Sequence, residues 1–209
     1  MLLPVSGGIY AITDCLHLTN NQVIEKSEII LRNGVALFQY RNKNNRNDKT
    51  IDLANELQSL CKQFNVPFII NDDVELAKQV SADGIHLGKN DQNITSTRDY
   101  LGSIIIGLSC YNDFNRAIEA EQAGANYIAF GSFFPSQTKP EAMKANIDIL
   151  IKAKNELALP IVAIGGITSE NGKVLLDAGA DFLAVISGLY SATDTKTAIQ
   201  NYTKLFINH

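Results

Sequence analysis

Ser81-Ala82-Asp83-Gly84-Ile85-His86-Leu87-Gly88 reads as a helix ending, a tight turn and a short apolar strand. Two echoes of its opening follow, Gly124-Ala125-Asn126-Tyr127 and Gly179-Ala180-Asp181-Phe182. Gly124 and Gly179 suit the left-handed residue that closes a helix, and Asp or Asn suits the turn into the next strand. Working outward from these turns, apolar runs recur at Gly8–Thr13, Leu37–Tyr40, Pro67–Ile70, Gly84–Leu87, Ile104–Ser109, Tyr127–Phe130, Pro160–Ile164 and Phe182–Ile186. Helical periodicity fills the intervals at Asn21–Asn33, Lys49–Phe64, Val74–Val80, Thr95–Leu101, Asp113–Ala123, Asn146–Glu156, Ser169–Ala178 and Thr193–Phe206. Strands that alternate with helices pair in parallel through right-handed crossovers. Eight such units predict an α/β chain closed as a single (β/α)8 TIM barrel. An open doubly wound sheet is the other reading, but it calls for a glycine-rich fingerprint after the first strand, where Ile12-Thr13-Asp14 stands instead. The repeated turns then lie at the bottom of the barrel, which leaves the C-terminal ends of the strands for chemistry.

Bulk properties narrow the class. The 209 residues, 45% hydrophobic, suffice for one core, so one domain over residues 1–209 is expected. Eighteen basic against 22 acidic residues, with no dense basic run, point away from nucleic acid and toward small-molecule partners. No stretch has the roughly 18 uninterrupted apolar residues of a membrane helix, and the N-terminus lacks a basic, then apolar leader. Cys15, Cys61 and Cys110 form neither a CxxC pair nor a metal-spaced set with the three histidines, which fits a reducing cytoplasm. The chain is also compatible with a homo-oligomer.

Polar residues gather where the strands end. After the second strand, alternation aims Gln39, Arg41 and Lys43 to one side, although Arg46 and Lys49 nearby also allow a solvated basic loop. The third strand passes abruptly into Asn71-Asp72-Asp73. Asp73 is placed to cap the next helix, which leaves Asp72 to face the mouth. The fourth strand delivers Asp91 to the same rim. Two carboxylates on adjacent strands suit Mg²⁺, which is commonly held by one or two carboxylates plus waters and phosphate. They also read as ordinary acidic loop residues.

Ser109 offers a hydroxyl at the end of the fifth strand, whereas Cys110 has no adjacent base and reads as packing. Gly131–Pro140 is a loop able to close over an anion, or a plain surface connection. Gly165-Gly166 and Ile186-Ser187 end the last two strands, where barrels of this kind often bind phosphate through main-chain N–H groups. His86, inside a strand, reads as a satisfied interior histidine.

Taken together, Gln39-x-Arg41-x-Lys43, Asn71-Asp72, Gly84-Ile85-His86-Leu87-Gly88 with Asp91, Ser136-x-Thr138-Lys139, Gly165-Gly166-Ile167 and Ile186-Ser187 resemble the thiamine phosphate synthase family, in its order and over nearly the whole chain. The resemblance implies a transferase. It implies that Gln39, Tyr40, Arg41, Asn42, Lys43, Asn71, Ser109 and Lys139 bind a pyrimidine methyl diphosphate, with Arg41, Lys43, Ser109 and Lys139 acting in catalysis. It assigns Asp72 and Asp91 to Mg²⁺, and Ser136, Gln137, Thr138, Gly165, Gly166, Ile186 and Ser187 to a thiazole phosphate. Lys89-Asn90 and Ser136 depart from the family's commoner residues, and the presumed metal ligands remain. The implied reaction is a dissociative displacement that needs positioning and charge neutralisation more than acid or base. A thiazole tautomerase-like isomerase and a non-catalytic barrel that binds thiamine intermediates are the rival readings. Retention of Arg41, Lys43, Asp72, Asp91 and Lys139 argues against the isomerase, which has no diphosphate to hold.

Overall fold

The computed structural model describes residues 3, 6–43, 47–89, 91, 93–135 and 144–207. Among them, β1 (Gly8–Ile12), β2 (Leu37–Tyr40), β3 (Phe68–Asn71), β4 (Gly84–Leu87), β5 (Ile105–Tyr111), β6 (Tyr127–Phe130), β7 (Ile161–Ile164) and β8 (Phe182–Val185) pair in parallel and in order. β8 returns to β1, with Gly8 opposite Phe182, and closes the barrel. Helices α1 (Asn20–Arg32), α2 (Asp48–Gln63), α3 (Val74–Gln79), α4 (Ile94–Leu101), α5 (Phe114–Gln122), α6 (Asp148–Glu156), α7 (Lys173–Asp177), α8 (Ser187–Tyr190) and α9 (Thr195–Thr203) follow their strands. The expected (β/α)8 barrel is the fold.

Local chemistry explains where these elements start. Thr19, Asn47, Asp73, Asn93, Asp113 and Asp194 each accept from a first-turn N–H of the helix that follows, satisfying a donor that the helix itself leaves open. The three repeated turns share a second device. Asp83 accepts from the N–H of Phe68 at 2.9 Å, Asn126 from Ile106 at 2.8 Å and Asp181 from Ile161 at 2.8 Å. In each case the residue entering an even-numbered strand takes up an amide of the odd-numbered strand before it. β4, β6 and β8 are thereby pinned in register to β3, β5 and β7.

Strand alternation divides the core in two. Tyr10, Ile12, Leu37, Ile69, Ile105, Tyr127, Ala129, Val162, Phe182 and Ala184 fill the barrel interior. Phe38, Tyr40, Phe68, Ile70, Ile128 and Phe130 face outward into the layer beneath the helices. A strand's inward residues must fit their neighbours across a narrow space, and Gly107 on β5 shows how closely. A Cβ there would stand 1.9 Å from Cζ of Tyr127, whose ring lies across the position.

Most boundaries shift by one or two residues from the sequence reading, and three departures have a local cause. β5 runs on through Cys110 to Tyr111, with a register irregularity against β6 between Ser109 and Tyr111 that accommodates the extra residue. The seventh helix begins at Lys173 instead of Ser169, because Thr168 and Asn171 hydrogen-bond to each other's main chain in a turn that uses up the expected first residues. The expected last helix, Thr193–Phe206, is α9 followed by a 3₁₀ turn at Lys204–Phe206. The short α8 precedes it and was unforeseen, since four residues carry no periodic signal.

Gly107→Ala is expected to cost about 1–3 kcal/mol through overpacking against Tyr127. Urea unfolding checks this, as a lower midpoint at unchanged slope. An unchanged midpoint would mean that the Tyr127 ring is not held against β5.

Candidate active site

The C-terminal ends of the strands surround a cavity of about 990 Å³, lined among others by Gln39, Arg41, Asn71, Ser109, Gly165 and Ser187. These come from β2, β3, β5, β7 and β8 and their following loops. The barrel thus collects in one place many of the residues that the sequence singled out along separate segments, and Lys43, Asp72 and Asp91 adjoin that lining.

The charged side of the mouth is built on β2, β3 and β4. The side chain of Asp73 accepts from the N–H of Leu76 at 2.8 Å as the cap of α3, and this frees Asp72. Asp72 adopts a left-handed backbone, φ 62°, which turns it out of the strand direction. Its carboxylate receives the ammonium of Lys43 and lies beside the carboxyl of Asp91. Gly88 donates its N–H to Asp91 and holds that residue at the same point.

Burial raises the Asp72 pKa, but Lys43 and Asp91 outweigh it, and the net shift is downward. Asp91 is shifted upward by burial and by the neighbouring Asp72, with the Gly88 N–H opposing. Two neighbouring carboxyl groups offer hard oxygen donors of the kind a divalent cation accepts. Among the described residues no group of three or more His, Cys, Asp or Glu is gathered for a metal.

Arg41 stands beside this pair. Thr13 clips the strand end by accepting from Arg41 N–H at 2.9 Å and donating to Arg41 C=O at 3.2 Å. Burial lowers the guanidinium pKa, against the pull of Asp72 and Asp14. Arg116, which the sequence reading passed over, also lines the cavity. Its Nε donates to Ser109 C=O at 2.7 Å and its terminal nitrogen to Gly88 C=O at 2.9 Å. It ties the ends of β4 and β5 together and so fixes Ser109 beside the Asp91 loop.

The opposite side is made of backbone. Gly165 and Gly166 have φ of 106° and 61°. Phe133 and Phe134 donate to the carbonyls of Ile164 and Gly165 at 3.2 and 3.0 Å, and Asn171 Nδ2 to that of Gly166 at 3.0 Å. The glycines are needed for this contact. A Cβ on Gly165 would lie 2.0 Å from Ser132 Oγ, and one on Gly166 2.3 Å from Pro135 C=O. The close approach that the sequence suggested for phosphate is therefore made first by the chain's own β6 loop. In a trans peptide the next N–H points opposite to the carbonyl, so those of Gly165, Gly166 and Ile167 are turned away from these partners. Ser187 and Gly188 open α8, where first-turn N–H groups have no intrahelical partner.

The side chains of two expected ligand residues point toward α2. Alternation sends Tyr40 outward, where its ring is buried against α2 and its hydroxyl donates to Thr50 C=O at 3.1 Å. Asn42 Nδ2 donates to that hydroxyl at 3.0 Å. Neither lines the cavity, and both serve the packing of α2. Ser136, Gln137, Thr138 and Lys139 lie outside the described residues. Cys110 is buried with its thiol pushed up to about 12, first of all by burial, in keeping with a packing role.

Sequence reasoning also missed a row of hydrogen bonds on the cavity floor. Gln39 Nε2 donates to Tyr10 Oη at 2.7 Å, and Tyr10 Oη lies 2.7 Å from Tyr127 Oη. Tyr127 Oη lies 3.0 Å from His86 Nδ1, and His86 Nε2 lies 2.8 Å from Ser109 Oγ. His86 is the satisfied interior histidine that was expected, but its partners come from strands too distant in sequence for any local signal.

Residues 9–189 match the family model described as thiamine monophosphate synthase. The chain is 47% identical over 200 residues to the thiamine-phosphate synthase of Nitrosococcus oceani, covering 95% of this chain and 92% of that protein. It is 45% identical to the thiamine-phosphate synthase of Nitrosomonas eutropha, covering 95% and 94%. Among solved structures, the thiamine phosphate pyrophosphorylase of Pyrococcus furiosus superposes with a TM-score of 0.86 at 32% identity, over 96% of this chain and 95% of that one. A geranylgeranylglyceryl phosphate synthase from Thermoplasma acidophilum, at 16% identity and TM-score 0.72, shares the fold. With identity sustained over almost its full length and a barrel whose mouth gathers the expected charged and glycine-rich loops, this transferase belongs to the thiamine monophosphate synthase family.

Proposed function

We propose that the chain, as one domain, joins a 4-amino-2-methylpyrimidine methyl diphosphate to a thiazole phosphate, releasing diphosphate and forming thiamine monophosphate. The observation that carries this reading is the division of one cavity into two unlike walls. On one side Arg41 and Asn71 line the cavity, with Lys43, Asp72 and Asp91 adjoining them behind Tyr111, while on β7 and β8 stand main-chain N–H groups around glycine. A diphosphate needs the first wall and a monophosphate suits the second.

In the reaction the methylene C–O bond breaks as diphosphate departs, and the thiazole nitrogen supplies its lone pair to form the new C–N bond. No side chain has to act as a nucleophile, which agrees with a cavity whose histidine is engaged and with a Cys110 packed in the core away from it. Arg41 and Lys43 hold the diphosphate oxygens as their charge grows, and Gln39, Asn71 and Ser109 orient the pyrimidine. Gly165, Gly166, Ile186 and Ser187 hold the thiazole phosphate through the main chain. Lys139, Ser136, Gln137 and Thr138 join them by resemblance alone. Asp72 and Asp91 would hold Mg²⁺, which when bound supplies further charge neutralisation to the diphosphate. We further place the protein in the cytoplasm. Among the described residues no helix is long and apolar enough to cross a membrane.

Diphosphate release should require both substrates and stop in EDTA, with Mg²⁺ restoring it. Asp72→Asn keeps a residue that tolerates φ 62°, so it should retain the fold by circular dichroism while losing most turnover. Full activity in EDTA would remove the metal from the reading.

Arg41→Ala should lose roughly 2–4 kcal/mol of transition-state stabilisation, expressed mainly in kcat. A wild-type protein that isomerises a thiazole phosphate but cannot join it to the pyrimidine, with Arg41→Ala behaving identically, would make the chain an isomerase instead.

A further inference from the structure

The hydrogen bonds on the cavity floor form one connected chain across the barrel, Gln39–Tyr10–Tyr127–His86–Ser109, joining β2, β1, β6, β4 and β5. Gln39, Tyr10, His86 and Ser109 line the cavity, and the two phenols are shut off from bulk solvent. Tyr10 is 1% and Tyr127 0% exposed. Such a chain has a direction, because each hydroxyl carries one hydrogen and a hydrogen bond has one donor.

The direction is set at Gln39. Its amide nitrogen has only hydrogens to offer, so Tyr10 Oη accepts there. The single phenolic hydrogen of Tyr10 then goes to its other partner, Tyr127 Oη, at 2.7 Å. Having accepted, Tyr127 donates its own hydrogen to His86 Nδ1 at 3.0 Å. An Nδ1 that accepts is unprotonated, which places the hydrogen of the neutral ring on Nε2. Nε2 therefore donates to Ser109 Oγ at 2.8 Å. Ser109 is left with its own hydrogen to give to whatever occupies the cavity. Burial of both phenols, which raises their pKa values well beyond the ordinary tyrosine value, keeps one hydrogen on each and the chain intact.

We propose that Tyr10, Tyr127 and His86 are positioning residues that fix the polarity of Ser109, so that its hydroxyl meets a bound ligand as a donor and selects an acceptor atom there. Resting on the proposed reaction, that acceptor is a ring nitrogen of the aminopyrimidine. The remaining amide groups of Gln39, at the other end, complement the same flat heterocycle. None of the three positioning residues need touch the reacting atoms. They act by making one rotor and one tautomer single-valued before the substrate arrives, an economy of reorganisation that low-dielectric sites depend on.

The first test uses the wild-type protein without substrate. ¹⁵N-edited spectra of the neutral His86 ring should show one tautomer, protonated on Nε2 with Nδ1 unprotonated. Protonation on Nδ1, or an even mixture, overturns the proposal.

The second test uses Tyr127→Phe, which keeps the ring against Gly107 and removes only the hydroxyl. His86 should then populate both tautomers. KM for the pyrimidine diphosphate should rise roughly fivefold to tenfold, the scale of one buried hydrogen bond, while KM for the thiazole phosphate stays within about twofold. A variant that keeps the single tautomer, or that raises both KM values alike, overturns the relay. Tyr10→Phe should give the same one-sided pattern, because it interrupts the chain a step nearer its source. The tautomer is read without turnover, so a protein inactive toward these substrates would refute the proposed reaction and leave the relay to be judged by its own spectrum.

Discussion

Register is the constraint on which the rest of this molecule depends. A parallel barrel has no hairpins to set it, and a slip of one residue would exchange every inward side chain for an outward one. Here Asp83, Asn126 and Asp181 each reach across a turn to the amide of the preceding strand. With β4, β6 and β8 so pinned, Asn71 stands beside His86 and Ser109 beside Ala129, and the polar residues of successive strands arrive at one level. Lys154 backs Asp181 with an ion pair at 2.6 Å, and Arg98 donates to Asn126 at 3.1 Å, so two of the three pins are themselves held. The turns that look least chemical in the sequence are what place the chemistry at the far end of the strands.

The same register forces polar groups into the barrel's interior, where they are costly unless every one is bonded. The structure meets that condition by choosing side chains that both donate and accept. Tyr10, Tyr127, His86 and Ser109 hand hydrogen bonds along the floor, and small residues make room for them. Gly107 and Ala129 sit where Tyr127 and the cavity need space. Below this floor the interior is apolar, with Leu37, Ile69, Ile105 and Phe182. The polar floor is thus the boundary between the part of the barrel that is packed for stability and the part left open for ligand.

What could be read from the sequence follows the range of the interactions. The role of Asp73 was legible because a cap bonds three residues ahead, and that local fact alone freed Asp72 for the mouth. The alternation of Gln39 and Arg41 was legible for the same reason. The outward turn of the Tyr40 side chain was not legible in the resemblance, which marks a segment while the strand's period sends neighbours to opposite faces. The pairing of Tyr10 with Tyr127 spans 117 residues, and nothing nearer announces it. Gly166 shows a subtler failure. Its need for glycine was foreseen, but the body pressing on it is Phe134 and Pro135 of the β6 loop, a contact that only the closed barrel creates.

The two walls of the cavity differ in how ready they are for a ligand. Around Gly165 and Gly166 the backbone is held by the carbonyl bonds of Ile164, Gly165 and Gly166, so its amides keep their directions whether or not anything is bound. Beside the other wall the cation is already paired within the protein, Lys43 with Asp72, and Asp91 stands next to that pair. On the proposed reading a diphosphate must draw Lys43 toward itself, and the carboxylates it leaves behind then favour a cation more strongly than before. Diphosphate and cation affinity are therefore thermodynamically linked, each strengthening the other by the same factor. The monophosphate wall has no such exchange of partners to make, so its affinity should depend far less on whether the cation is present.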